Sequence, residues 1–442
     1  MNSFSVASFI YLLSKPMNSA VVEIAVAPSS VTRKVSADGQ ESERQFYPVK
    51  LTGVSNGAKI MRAAFAETAS GAELSVKVNG KMFDRLMAAM SGAESLTFSW
   101  EEKEKGFVTI TSNTGNIMKL PITGDDLPDV AMSKDGGIIT AVLKAGDVSE
   151  ALRRFKAVNG SANAVPFCVY GKEVTFFGMR EGGAMSGRFA CKVSTIKASA
   201  EKSEYVRDGE AVKAFTSAFP ASAVSILESF GSEERVQLEV SDKSTTIKTV
   251  NTVYVGPTAV TTQRPEPYEK IFSSFKESAS APGTLGVFVE TQALANACSM
   301  AATSAEVMKV AGIGDKSPLL LSLADEGKTL MLSLADGSRF PVTIANRKGE
   351  QTSGEVGFFT TELLAKMASA VGAAYARIDV IRGRGVTLYF TGRDEQPVYG
   401  FEAALMSQIP ESGKAAFDQA SKALNKSEEP DESDADAEEE NA

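Results

Sequence analysis

Little in this 442-residue chain is of a type and spacing to do covalent chemistry. It has no histidine, which removes the commonest general base, the Ser-His-Asp and Cys-His nucleophile systems and most zinc sites. Its three cysteines, Cys168, Cys191 and Cys298, are widely spaced with no CxxC pair, and read as buried reduced thiols. Residues 312–317, GIGDKS, lack the full GxxxxGK[ST] spacing of a phosphate loop and read as a turn in a hairpin. The adjacent carboxylates Asp125-Asp126 and Glu233-Glu234 lie among polar connectors, where solvated turns explain them better than acid–base work. No catalytic residue, metal ion or cofactor is expected, and the chain is not read as an enzyme.

The elements behind these residues carry the stronger signal, because they repeat. Residues 78–130 read as a short strand, a helix with Met82, Phe83, Leu86 and Met90 on one face, and three strands over 95–101, 106–111 and 116–121. The same order recurs from Phe219 and from Phe359, with helices opening near Lys81, Pro220 and Thr361, at offsets of 139 and 141 residues. A second set of half-units opens near Phe4, Leu143 and Val287, and its second member places a helix over 148–158. Helices are also expected over 7–14, 221–230 and 292–302. Each repeat is thus two β-α-β-β-β halves. The expected division is 1–135, 136–281 and 282–410 as three similar domains, with 124–137 and 273–283 as connectors. Residues 29–43 read as a loop or long hairpin. The fold class expected is α+β.

Composition agrees with such a body: 43% hydrophobic and 23% charged residues suit a soluble globular chain. The N-terminal stretch MNSFSVASFIYLLSKP has an apolar run with no basic residue before it and is too short to span a bilayer. A strand and helix are expected there, no membrane partner, and a cytoplasmic location. Beyond Met406 the repeats stop. Residues 411–425 suit a short polar helix, and 427–442 carry nine acidic residues and no basic one. The net charge of −9 lies wholly in that tail, so the body is formally neutral. The tail is expected to be disordered and dispensable for folding, and would act as an electrostatic screen that repels other polyanions.

Six β-α-β-β-β units in one chain resemble the organisation of the bacterial sliding clamps, the β subunits of the replicative DNA polymerase. The runs KMFDRLMAAM, SLTFSWE, FVTITS and MKLPITGDDLPD resemble that family's first domain. PASAVSILESFGSEERVQLEVSDKSTTIKT resembles its second, and TTELLAKMASAVGAAYARIDV through QPVYGFEAAL its third. The resemblance implies a ring-forming clamp fold that encircles duplex DNA as a head-to-tail homodimer. Its helices would line a hole and meet phosphate without reading sequence. Candidates for that contact are Lys81, Arg85, Arg153, Arg154, Lys156 and Lys366, each on an expected helix flank, with Arg153 and Arg154 both off the core face. Plain solvation of a helix face is the competing explanation, and Glu228 keeps any such surface only mildly basic.

The resemblance also implies docking of a polymerase and an ATP-dependent clamp loader through short linear motifs, in a pocket between the second and third domains. Three segments would line it: Arg188 and Phe189 after Gly187, which stands where the family has His; Pro267, Tyr268, Lys270 and Ile271; and Tyr399, Phe401 and Leu405. Core packing is the alternative role for each apolar member. Ring closure is expected to join residues 96–111 of one copy to 314–324 of the other. A clamp-fold scaffold or inhibitor that binds replication proteins without encircling DNA is the rival expectation.

Overall fold

Period-two burial governs the strands of this chain. In AKIMRAAFA, residues Ala58–Ala66, every second side chain is buried, so one face of the strand must be covered. The computed structural model describes the chain from Met1 to Ser427 apart from residues 38–39, 72–73, 102–105, 131–138, 161, 181–183, 200–202, 208–209, 261–263, 311–317, 384 and 394–396. The GIGDKS turn, the acidic tail beyond Ser427 and part of the 124–137 connector therefore lie outside the described residues.

The first pass holds β1 (Asn2–Val6), α1 (Ile10–Leu13), β2 (Val21–Val26), β3 (Val31–Ala37), β4 (Gln40–Ser55), β5 (Ala58–Ala66), β6 (Thr68–Ser70), β7 (Ser75–Asn79), α2 (Gly80–Ala89), β8 (Leu96–Trp100), β9 (Phe107–Ser112) and β10 (Ile117–Pro121). The second holds β11 (Ile139–Lys144), α3 (Ala145–Asn159), β12 (Ala164–Tyr170), β13 (Glu173–Met179), β14 (Met185–Lys192), β15 (Thr195–Ala198), β16 (Ser203–Arg207), β17 (Glu210–Pro220), α4 (Ala221–Glu228), β18 (Arg235–Val240), β19 (Ser244–Lys248), β20 (Thr252–Pro257) and α5 (Pro265–Ser280). The third holds β21 (Leu285–Glu290), α6 (Thr291–Val310), β22 (Leu319–Ala324), β23 (Thr329–Ser333), β24 (Arg339–Lys348), β25 (Gly354–Phe359), α7 (Thr361–Ala370), β26 (Tyr375–Arg382), β27 (Val386–Arg393), β28 (Pro397–Met406) and α8 (Pro410–Ser427).

Within each pass the leading strands change places. The first strand of each half pairs with the strands of the other half: β1 with β8, β11 with β18 and β21 with β26, against β7 with β2, β17 with β12 and β25 with β22. The half-unit helices α1, α2, α3, α4, α6 and α7 thereby cross from one sheet to the other, with a strand at each end. Local chemistry sets the turns. Asn79 caps α2 by accepting from the Met82 N–H at 3.0 Å. Asn56-Gly57, both at positive φ, closes the β4–β5 hairpin.

Two seams join the passes. β5 pairs with β20 over Lys59↔Val255 to Arg62↔Thr252, and β14 pairs with β28 over Met185↔Leu405 to Phe189↔Phe401. Both follow one rule: the last strand of a first half's three-stranded meander, β2-β4-β5 or β12-β13-β14, meets the last strand of the next pass's second half. One large buried apolar cluster runs through all three passes, from Phe4 to Leu405.

Several expectations need correction. The segment 96–111 is not an open edge, since β9 is paired on both sides, to β8 and to β10; the outermost strand is β10. In the third pass β22 is likewise paired on both sides, to β23 and β25, and the one-sided stretch of the first half is Arg339–Thr343 of β24. Residues 273–280 belong to helix α5, because Tyr268, Phe272, Phe275 and Ala279 recur at helical spacing and find an apolar bed. The expected helix over 7–14 contracts to the single turn of α1.

Gly400 sits at the second seam with φ +77°, and a Cβ there would lie 2.2 Å from the Ala190 carbonyl oxygen. Gly400→Ala is therefore expected to cost at least about 1–3 kcal/mol from backbone strain alone, read as a lower urea midpoint. An unchanged midpoint would contradict the close packing of β28 on β14.

Candidate nucleic-acid interface and partner seam

Helices α4, α3, α7 and α6 lie side by side in that order, α3 packing on both α4 and α7, and α7 on α6. Four of the six candidate cations sit on this row, and all four are ion-paired. Arg153 donates from Nε to Glu150 Oε2 at 2.7 Å and from Nη1 to the Ser369 carbonyl at 3.1 Å, at the C-terminal end of α7. Lys156 is held by Glu228 at 2.6 and 2.7 Å, and Lys366 pairs with Glu362 one turn away. Arg153, Lys156 and Lys366 are thus each paired with a carboxylate.

Arg154 departs from expectation. It is 6% exposed rather than off the core face, with Nε 3.0 Å from Glu150 Oε1 and its guanidinium 5.5 Å from the centre of the Phe401 ring. The reason is the neighbouring α7, whose approach covers that flank of α3. Gly372 closes the contact: at φ +65°, any Cβ would meet Glu150 Oε1 at 2.6 Å. The hydrogen bond from Arg153, with both guanidinium charges, holds the Glu150 carboxyl below its ordinary range, while burial pushes Arg154 down. Lys81 and Arg85, on α2, are exposed and have no ion-pair partner among the described residues.

The second cluster lies at the β14–β28 seam. Arg188 and Glu402 are register partners there, and Arg188 bonds Glu402 from Nε at 2.7 Å. Its other amino groups reach Glu402 and Glu269, the latter carried by α5. Tyr389 donates its hydroxyl to Glu402 at 2.5 Å, Lys276 approaches Glu402 at 3.3 Å, and Arg207 stands between Glu173 at 2.6 Å and Glu269 at 3.9 Å. Burial, then the Glu402 charge, drives the Tyr389 phenol far above its ordinary range. Arg188 and Glu269 are 2% and 3% exposed, so the ions survive only because they satisfy one another.

The residues nominated for a peptide pocket come together at this seam. Phe189, Phe401 and Leu405 are buried, with the Phe189 and Phe401 rings 5.8 Å apart. Tyr268 is buried against Phe177, with ring centres 5.0 Å apart. Pro267 and Lys270 are exposed on α5 and Ile271 is half-buried. Tyr399 is in β28, and its side chain is outside the described residues. Sequence reasoning missed Glu269, Glu402 and Phe272. The spacing 268, 272, 275, 279 was the available signal, since it places α5 over the seam with Glu269 beside its apolar stripe.

Two outcomes are expected. Arg188→Met removes the cation that two carboxylates share and should cost about 3–5 kcal/mol of stability, whereas adding Glu269→Gln and Glu402→Gln should recover most of it, read by urea unfolding. Because Glu150 is held below its ordinary value of 4.5, its contribution is complete above that pH and is lost as pH falls through the lowered value. Glu150→Gln should therefore flatten the decline of thermal midpoint below pH 4.5.

No family model matches the chain, and no curated protein does. Solved structures do. The DNA polymerase III β subunit of Thermotoga maritima matches with TM-score 0.61 at 10% identity, covering 92% of this chain and 99% of that one. The Streptococcus pneumoniae β chain matches with TM-score 0.60 at 11% identity over 92% and 100%. The Helicobacter pylori β clamp bound to a DNA ligase peptide matches with TM-score 0.59 at 9% identity over 92% and 99%. Over 92% of its length the chain therefore has the α+β fold of the bacterial DNA polymerase III β subunits, at 10–11% sequence identity.

Proposed function

We propose that this protein is a DNA sliding clamp, a head-to-tail homodimeric ring that encircles duplex DNA and tethers a replicative polymerase. In this reading residues 1–135, 136–281 and 282–410 are three clamp domains, and 411–442 a polar helix and acidic tail. The observation that supports it most is the seam rule. If a first half's last strand always meets the next second half's last strand, one pair is left over: β24 and β10. Among the described residues β10 and the Arg339–Thr343 stretch of β24 are one-sided, and only a second copy can supply the match head to tail. A heterologous contact of this kind closes into a ring or runs on as a filament.

The side chains near both edges are of the kind a partner covers. Beside β10, Phe107 and Ile117 are 53% and 65% exposed. On α6, the end of the helix row, Met300, Val307 and Val310 are exposed on one stripe at helical spacing. On α2 Met82 is exposed as well. As α3 lies on α7 within the chain, α6 would lie on α2 of the other copy.

DNA would be held by enclosure more than by charge. Lys81 and Arg85 are the phosphate contacts best placed to act directly, with Arg153, Lys156 and Lys366 sharing their charge with carboxylates and Arg154 supporting from beneath. Partner motifs, of the kind the Helicobacter pylori clamp takes from DNA ligase, would dock at the β14–β28 seam. There Pro267, Lys270 and Ile271 offer the accessible surface, over Arg188, Phe189, Tyr268, Phe401 and Leu405; Tyr399 belongs to the same strand. A polymerase and an ATP-dependent loader are the partners proposed, in the cytoplasm. No helix among the described residues is long and apolar enough to cross a membrane. The neutralised helix row favours one rival, a clamp-fold scaffold that binds replication proteins without enclosing DNA.

The experiment is retention on nicked circular against linear duplex after loading. A clamp stays on circles in salt that abolishes direct binding and leaves linear DNA by its ends. Lys81→Glu with Arg85→Glu should shorten residence on circles and lower the salt slope, which runs at about 0.9 per phosphate neutralised, without unfolding the protein. Equal, salt-sensitive binding to both forms would replace the clamp reading with simple surface association.

A further inference from the structure

The outer face of the first pass's sheet carries an uncompensated row of cations. Alternation along β4 puts Val49 and Leu51 in the core, so Arg44 and Lys50 face the other way. Register adds Arg33, directly across from Arg44, and Lys59, across from Val54, to the same face. Two arginines opposite each other on neighbouring strands repel, and none of these four cations has an ion-pair partner among the described residues. Arg33 is instead set over the Phe65 ring at 3.9 Å, and Phe65 belongs to an aromatic group with Phe9 and Phe46 that anchors the root of the β3–β4 hairpin. Among the described positions of β2 to β5, Glu23 is the one acid on this face. From Arg44 to the level of Lys59 the row runs about 33 Å, at about 3.3 Å per residue.

A linear row of this kind fits a linear polyanion, and the chain carries one. Residues 427–442 hold nine carboxylates and no cation, while the rest of the chain is formally neutral. On the helix row Arg153 is matched to Glu150, Lys156 to Glu228 and Lys366 to Glu362, which leaves Lys81 and Arg85 on α2 as the competing cations. The tail leaves from α8, which is seated on the third pass by the Phe417 ring against Phe358 at 5.8 Å and by Gly413 close beside that ring. Fifteen residues reach about 50 Å when extended, enough to lie along the row.

We infer that the acidic tail docks on the cationic outer face formed by Arg33, Arg44, Lys50 and Lys59. This rests on the ring reading in one respect: in a head-to-tail ring the first domain next to α8 is the other copy's, so the tail would cross the junction and fasten it. Lys34, which the register places on the reverse face of the hairpin opposite Glu43, is the built-in comparison.

The test is zero-length carbodiimide coupling of carboxylates to lysines in the full-length protein, mixed from light and 15N-labelled copies and read by mass spectrometry. Tail peptides joined to Lys50 and Lys59 several-fold above Lys34 are expected. These joins should fall to the Lys34 level at about 1 M salt, where the screening length is about 3 Å, and in Arg33→Glu with Arg44→Glu. Joins spread evenly over exposed lysines, or gathered on Lys81, would overturn the inference. Mixed-label joins mean that the tail crosses between copies. Joins confined to one label, in a protein of single-chain mass, would sink the ring and keep the docking; a dimer lacking these joins would do the reverse.

Discussion

A strand at the edge of a sheet leaves a row of N–H and C=O groups without partners, and this chain is built around where those rows go. Each pass has two sheets, and each sheet ends in the last strand of a half-unit. Inside the chain the rows are consumed at β5–β20 and β14–β28. Both seams bury an arginine. Arg62 donates to Thr252 at 3.3 Å and toward the carbonyls of Leu12 and Pro16, and burial pushes it down to about 10. Arg188 does the same work against carboxylates. Such buried cations add little net stability over an apolar pair, yet a slip of one residue would strand them, so they make register costly to miss.

The same organisation explains why charge on the helices is so restrained. Leading strands exchanged between halves bring the helices into a packed row, and a row of cations there would repel itself. Glu150, Glu228 and Glu362 remove that repulsion. A protein that had to hold DNA by affinity could not spend its cations this way, because sequence-independent binding comes from phosphate neutralisation. One that holds DNA by enclosure can, and gains mobility along the duplex from it.

Much of this was legible in the sequence. The near-constant offsets between helices, the alternation in LTFSW and FVTITS, and Asn56-Gly57 all act locally, so they could be read locally. The flank of Arg154 could not, because it is buried by α7, more than 200 residues away. Helix α5 hid behind its Ser- and Ala-rich second half, although its aromatic spacing was plain. The open edges were placed a strand or two inward of β10 and β24, since pairing partners on both sides of β9 and β22 are set by sheet order, which spacing alone does not encode. The cationic face of the hairpin needed the register of β3 on β4, which no count of charges supplies.

The claim at the centre is that β10 and β24 complete each other between two copies. Native mass spectrometry of the full-length protein at micromolar concentration, alongside Phe107→Asp with Ile117→Asp, tests it directly. A single species of twice the chain mass is expected, falling to one chain mass in the variant with the fold intact by circular dichroism. A wild-type protein that runs as one chain, or as an open ladder of three, four and more, would contradict it.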